Sequence, residues 1–258
     1  MSSAAHPARH GAPGAVFVGG LLLAWEGAAR ALGSPGLPPL SAVLAALWAD
    51  AGELVLQMGW TVARAAAGFA LALAVMLPLG IFIGRTPRVG QFVEPLIDLL
   101  RPLPPLAIVP VAMLFLGTGS AAKVAVVFYG ASFPLLLNAI DATRATHPML
   151  VNVGRSIGLT RGEIMREIDL PAALPQIMGG VRLSLAIALL ISVSSEMLLS
   201  TDGVGNYLMR AQETFRIASG LAGLLVIALV SLAINAGTRR IERRLLAWHH
   251  ERHALAHD

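Results

Sequence analysis

Residues that could do chemistry are few in this sequence. The 258 residues include no cysteine. That removes disulfides, zinc–thiolate sites and thiol nucleophiles. Six of the seven histidines, His6, His10, His249, His250, His253 and His257, lie in the terminal tails, and the seventh is His147. None sits in an H-E-x-x-H pair, the spacing that puts two imidazoles on one helix face around zinc. The tail "HHERHALAH" reads as a solvated segment rather than a metal-binding tract. The phosphate-loop pattern G-x-x-x-x-G-K-[ST] is absent, and the only lysine, Lys123, follows "GTGSAA" at the wrong spacing. ATP hydrolysis therefore has no site on this chain.

Two groups of residues remain. The first is a set of charges inside apolar runs, where an ionisable side chain is costly and invites a functional reading. Arg64, Lys123 and Glu196 fall there, with Ser192, Ser194 and Ser195 next to Glu196. Glu196 either pairs with one of the cations or lines a translocation path with the three serines. Asp98 and Arg101, three residues apart, suit a local ion pair. The second group is the polar stretch "GLTRGEIMREIDLPAALP", Gly158 to Pro175, between two apolar runs. Thr160 and Glu163 form a T-x-x-E capping box, and Leu159 and Ile164 take the hydrophobic-staple positions around it. Pro171 is expected to end this helix with Asp169 and Leu170, because proline cannot continue the hydrogen-bond ladder. Leu159, Ile164, Met165 and Ile168 share one face. A ten-residue helix is marginal alone, so that face must dock, either on the protein's own surface or on a partner.

The elements that carry these residues are read from the apolar pattern. The chain is 56% apolar and only 13% charged, against about 25% charged in a soluble domain. Its mean hydropathy is +0.71. Six runs are long enough to approach the ~20 residues of a spanning helix: roughly 15–32, 55–84, 92–116, 121–140, 177–199 and 218–237. The first carries Glu26 and is read as a retained helix rather than a signal peptide. Residues 40–54 read as an amphipathic surface helix. Pro102, Pro104, Pro105 and Pro110 must break the third run, leaving either a kinked structural helix or a gate-like hinge. With the N-terminus in the cytoplasm, thirteen of the 19 Lys and Arg fall in cytoplasmic segments, which explains the +4 charge by the positive-inside rule rather than by nucleic-acid binding. The expected fold is thus an all-α membrane protein of about six transmembrane helices. Residues 1–14 form a cytoplasmic tail, 15–238 the transmembrane domain with its core at 60–238, and 239–258 a second cytoplasmic tail. A cytoplasmic loop joins spans four and five.

That loop carries a resemblance. Asn152-Val153-Gly154, then Gly158, then Ile168-x-Leu170-Pro171 keep the spacing of the "EAA" loop of bacterial ABC importer permeases. The blocks "LRPLPPLAIVPVAMLFLGTGSAAKVAVVFYGASFPLLLNAIDATR", "GGVRLSLAIALLISVSSEML" and "DGVGNYL" resemble permeases of the nitrate/sulfonate/taurine type. The likeness covers about residues 60–208. It implies a permease subunit in the bacterial inner membrane with both termini cytoplasmic. It further implies a second permease copy, two ATPase subunits that hold ATP and Mg, an extracytoplasmic solute-binding protein, and no cofactor on this chain. The loop residues from Asn152 to Pro171 would couple to the ATPase, with Gly158 as the turn between two loop helices. One departure is clear: Asn152, Val153 and Gly154 replace the usual Glu-Ala-Ala, so the carboxylate is missing. The alternatives are a self-sufficient secondary transporter, for which the halves show no repeat, and an intramembrane enzyme, for which no nucleophile–base or metal constellation exists.

Overall fold

A computed structural model of the chain describes residues 11–246. The six tail histidines, Arg9 and Arg252 lie outside the described residues. The described part is eleven α-helices joined by short turns, with no strand among the described residues. Helices α1 (Gly11–Leu32), α2 (Leu40–Ala49), α3 (Ala51–Arg85) and α4 (Pro87–Leu100) come first. A 3-10 turn, Pro105–Ile108, leads into α5 (Val109–Leu116), and α6 is Ser120–Arg144. The loop after α6 holds α7 (Pro148–Ser156) and α8 (Arg161–Ile164), and a π turn, Met165–Asp169, leads into α9 (Leu170–Leu199). Two further helices, α10 (Val204–Glu213) and α11 (Ile217–Leu245), complete the chain.

Four helical stretches are long and apolar enough to cross a membrane: Ala51–Arg85, Ser120–Arg144, Arg161–Leu198 and Ile217–Leu245. The α4–α5 pair makes a fifth if its halves count as one broken span. The expected six also counted α1, which is not in this set; Glu26 and Arg30 lie in its second half, paired at 2.6 Å. The prolines account for the broken span. Pro104 is held extended at φ −62°, ψ 127°, and the helices on either side meet at 84°, because each proline lacks an N–H and biases its predecessor away from the helical region.

Three boundaries differ from expectation. The surface helix stops at Ala49, and residues 51–54 belong to α3, with Asp50 as the joint. The cationic run Arg239–Arg244 extends α11 rather than forming a tail. Pro171 does not end the loop helix: the chain stays helical from Arg161 to Leu199. The π turn just before Leu170 loosens the ladder by one residue, so the missing N–H and the ring of Pro171 fall where no ordinary i→i−4 bond has to form.

The core is a trio of long helices, α3, α6 and α9. Its seam is built by small residues, as expected where lipid provides no hydrophobic drive between helices. Gly68, Gly80 and Gly84 of α3 face α6. A Cβ at Gly80 would stand 2.6 Å from the Ala139 Cβ and 2.8 Å from the Leu136 carbonyl; at Gly84 it would stand 2.9 Å from the Ile140 carbonyl. Val126, Val127, Ala131 and Leu135 of α6 pack with Ala72, Ala188 and Ile191 in the largest apolar cluster. A second cluster ties α2 and α10 to α3 and α11 through Val43, Leu54, Met58, Val204, Tyr207 and Ala222.

Candidate coupling loop and buried charge cluster

The loop is a compact helical hairpin. His147 caps α7, its Nδ1 accepting from the Met149 N–H at 3.2 Å, and Pro148 fills the first helical turn where no N–H is needed. The chain reverses at Gly158, which has φ +86°, a region costly for any residue with a Cβ. The capping box forms as its pattern demands. Thr160 Oγ1 accepts from the Glu163 N–H at 3.3 Å, and Glu163 Oε2 accepts from the Thr160 N–H at 2.7 Å. Asp169 is buried and ion-paired with Arg85, so the end of α3 is tied to the π turn.

The apolar face of the second loop helix is used inside the protein. Ile164 is 5% exposed. A Cβ at Gly154 would lie 2.7 Å from Ile168 Cδ1, 3.2 Å from Ile164 Cγ1 and 3.5 Å from Leu159 Cδ1. Glycine at 154 is therefore the floor on which Leu159, Ile164 and Ile168 rest. The expectation that these side chains fill a partner's groove gives way to this packing. Met165 is half-buried beside them, and Asn152 and Leu170 are exposed. The free apolar stripe lies on α7 and its C-cap: Met149, Val153 and Ile157, spaced by four, are 66%, 53% and 70% exposed. The sequence reading overlooked this stripe. The signal was present in "HPMLVNVGRSIG", where M-x-x-x-V-x-x-x-I repeats at helical spacing.

The intramembrane charges assemble at the other end of α9. Glu196 is fully buried. It accepts from Thr61 Oγ1 at 2.7 Å, from Arg64 NH1 at 2.9 Å and from the Gly205 N–H at 3.2 Å. Arg64 also reaches Asp202 Oδ1 at 2.5 Å and donates to Ser120 Oγ at 3.1 Å, and Lys123 stands 3.8 Å from the same Asp202 oxygen. The Trp60 ring lies 5.6 Å from the Arg64 guanidinium carbon, close enough for cation–π attraction. Ser192 donates to the Thr61 carbonyl at 3.0 Å, and Ser195 to the Ser192 carbonyl at 2.9 Å. So Ser192 and Glu196 bolt α9 to α3 and to the 200–205 turn, the Ser195 hydroxyl bonds within α9, and Ser194 borders the larger cavity. Asp202 was missed because it lies outside the apolar runs. Asp98 and Arg101 form no ion pair with each other, and Arg101 makes no side-chain hydrogen bond or ion pair among the described residues. No cluster of three metal-ligating side chains exists among the described residues.

A bundle of membrane-length helices, a helical hairpin between two of them and an interior charge lock mark a multi-pass helical membrane protein. Solved structures share this fold. An inward-facing methionine ABC transporter chain superimposes with a TM-score of 0.67 at 19% identity, over 75% of this chain and 96% of that one. The chain belongs to the family of binding-protein-dependent transport system inner membrane components, whose profile matches residues 76–247. Among its relatives is a putative ABC transporter permease of Methanocaldococcus jannaschii, 34% identical over 198 residues, covering 76% of this chain and 74% of the relative. The taurine transport system permease of Escherichia coli is 30% identical over 235 residues, covering 88% and 86%. A putative aliphatic sulfonates permease of Bacillus subtilis is 34% identical over 197 residues, covering 76% and 71%. The chain is thus the membrane permease subunit of a binding-protein-dependent ABC import system.

Proposed function

We propose that two copies of this chain, or this chain and a related one, form the path for a small anion such as nitrate, a sulfonate or taurine. A separate ATPase pair supplies the energy, and a solute-binding protein delivers cargo from outside. Both termini face the cytoplasm in this arrangement, as the distribution of Arg and Lys favours. The observation that carries the coupling reading is the exposed stripe Met149, Val153 and Ile157 on α7, backed by a hairpin whose own apolar contacts are already satisfied. Such a stripe on a loop that needs no further packing is an interaction surface. The hairpin is tied to α3 by the Arg85–Asp169 pair and runs without a break into α9. A push on α7 would therefore reach two spans at once.

The test separates docking from folding. Val153→Asp with Ile157→Asp places charge on the stripe without entering the hairpin's interior. The expected result is normal membrane insertion and a parental melting temperature, with loss of ATPase co-purification or of solute-stimulated ATP hydrolysis. Ile164→Asp should behave differently, lowering abundance because it buries a charge beneath α7. Parental coupling in the Val153/Ile157 double variant would refute the docking role of α7.

A further inference from the structure

The bend in the α4–α5 span leaves a cavity of about 430 Å³ between that bend, α6 and α9. This size falls within the ~300–1,000 Å³ of small-molecule sites. Its wall is almost wholly apolar, built from Pro105, Phe133, Ile191 and their neighbours. Tyr129 and Phe133 stand edge-to-face, 5.1 Å apart at 81°. The Tyr129 hydroxyl donates to the Leu100 carbonyl at 2.6 Å, which pins that ring to the last turn of α4. The next residue is Arg101, an exposed residue that lines the cavity and has no hydrogen-bond or ion-pair partner among the described residues. Arg64, in contrast, has two carboxylates. The Arg101 cation therefore stands free for a ligand beside an aromatic-walled space.

We infer that this cavity is a transit subsite for an organic anion with a flat apolar body, its acidic head on Arg101 and its body against Tyr129 and Phe133. The inference rests on the importer reading and deepens it. An inorganic oxyanion would use the guanidinium alone and leave most of the apolar wall facing water. An organic sulfonate or carboxylate uses both. Arginine matches such a head with two parallel donors, and an aromatic wall takes a planar body by stacking or edge contact. Ser194 borders the same space, so a larger side chain there reduces its volume without disturbing the buried cluster.

The test uses the full-length permease in nanodiscs of neutral lipid, without the binding protein, and benzenesulfonate as the probe. Saturable binding is expected. Arg101→Gln should weaken it at least ten-fold yet leave binding of methyl phenyl sulfone, a neutral analogue, unchanged. Ser194→Leu should weaken both compounds, because it fills the space they share. Displacement of benzenesulfonate by equal concentrations of nitrate or sulfate would overturn the organic-anion assignment. So would the absence of saturable binding in the parent, or parental affinity in both variants. Loss of probe binding when the neutral lipid is exchanged for an anionic one would assign the cavity to a lipid headgroup instead. If the probe fails while the α7 stripe still couples ATP hydrolysis to uptake, only the subsite falls. If coupling fails as well, the importer reading falls with it.

Discussion

Gly80→Ala offers a direct measure of how closely α3 and α6 meet. The added methyl would stand 2.6 Å from the Ala139 Cβ and 2.8 Å from the Leu136 carbonyl, where ordinary contacts begin at 3.4 Å. The neighbours are a Cβ and a backbone oxygen, neither of which can swing aside, so the helices must part by about 0.8 Å locally. Overpacking of this kind costs about 1–3 kcal/mol. Alanine returns about 0.5–1 kcal/mol through its better helix propensity. The net loss is roughly 0–2.5 kcal/mol, or up to about 10 °C in melting midpoint for a chain of this size. Gly59→Ala is the matched control: it lies on the same helix, and a Cβ there would meet nothing within 4 Å. Thermal unfolding of parent and both variants in one detergent or nanodisc preparation reads the difference. Gly59→Ala should equal or exceed the parent. If Gly80→Ala melts as high as Gly59→Ala, the backbone-to-backbone approach of α3 and α6 is wrong.

Further expectations concern the charges. Arg64→Met should strand the buried Glu196, while Asp202 keeps Lys123, and destabilise by about 3–5 kcal/mol, the usual cost of breaking a buried pair; adding Glu196→Gln should recover part of it, and a double variant no better than the single would deny the pairing. At the joint between α2 and α3, donation by the Tyr207 hydroxyl at 2.7 Å holds the Asp50 carboxyl below its ordinary range, against the opposing effect of burial and with help from Ser219 and Arg216. A carboxyl lowered by folding stabilises above its unfolded pKa and loses that contribution as pH falls through the folded one. Melting should therefore be insensitive to this group from pH 8 to 5 and fall below about pH 4, and Asp50→Asn should flatten that acid limb; an unchanged acid limb in Asp50→Asn would refute the assignment. The same contact and burial push the Tyr207 hydroxyl up to about 12, burial being the larger cause, so alkaline absorbance titration should find a tyrosine step near pH 12 and Asp50→Asn should bring it down.

Much of the architecture was legible in the sequence for specific reasons. Long apolar runs gave α3, α6, α9 and α11, and the prolines at 102, 104 and 105 announced the break in the third run. The capping box at Thr160 and Glu163 is a local pattern, and it formed as written. Helix continuity through Pro171 was not legible, since the π turn that absorbs the ring depends on how α8 settles on α7. The role of Gly154 was not legible either. Read alone, it weakens a helix; in the hairpin, it is the point where Ile164 and Ile168 touch. The direction of an apolar face depends on its nearest neighbour, and periodicity within a single segment carries no information about that neighbour. Glu196 was legible as an unusual residue but not as a locked one, because Arg64 lies 132 positions away in the chain.

The glycine seam between α3 and α6 has a consequence for motion. Side chains can switch rotamers and let two helices slide between alternative packings. A joint made of bare backbone has no rotamers to switch. With Gly68, Gly80 and Gly84 all in contact with α6, the two helices share a single register along most of their length. Whatever shape change accompanies a transport cycle must then be accommodated at other joints. The 84° elbow between α4 and α5 and the turn that carries Asp202 are built of short segments and loops. The pair α3–α6 would stand still as the post on which those parts swing.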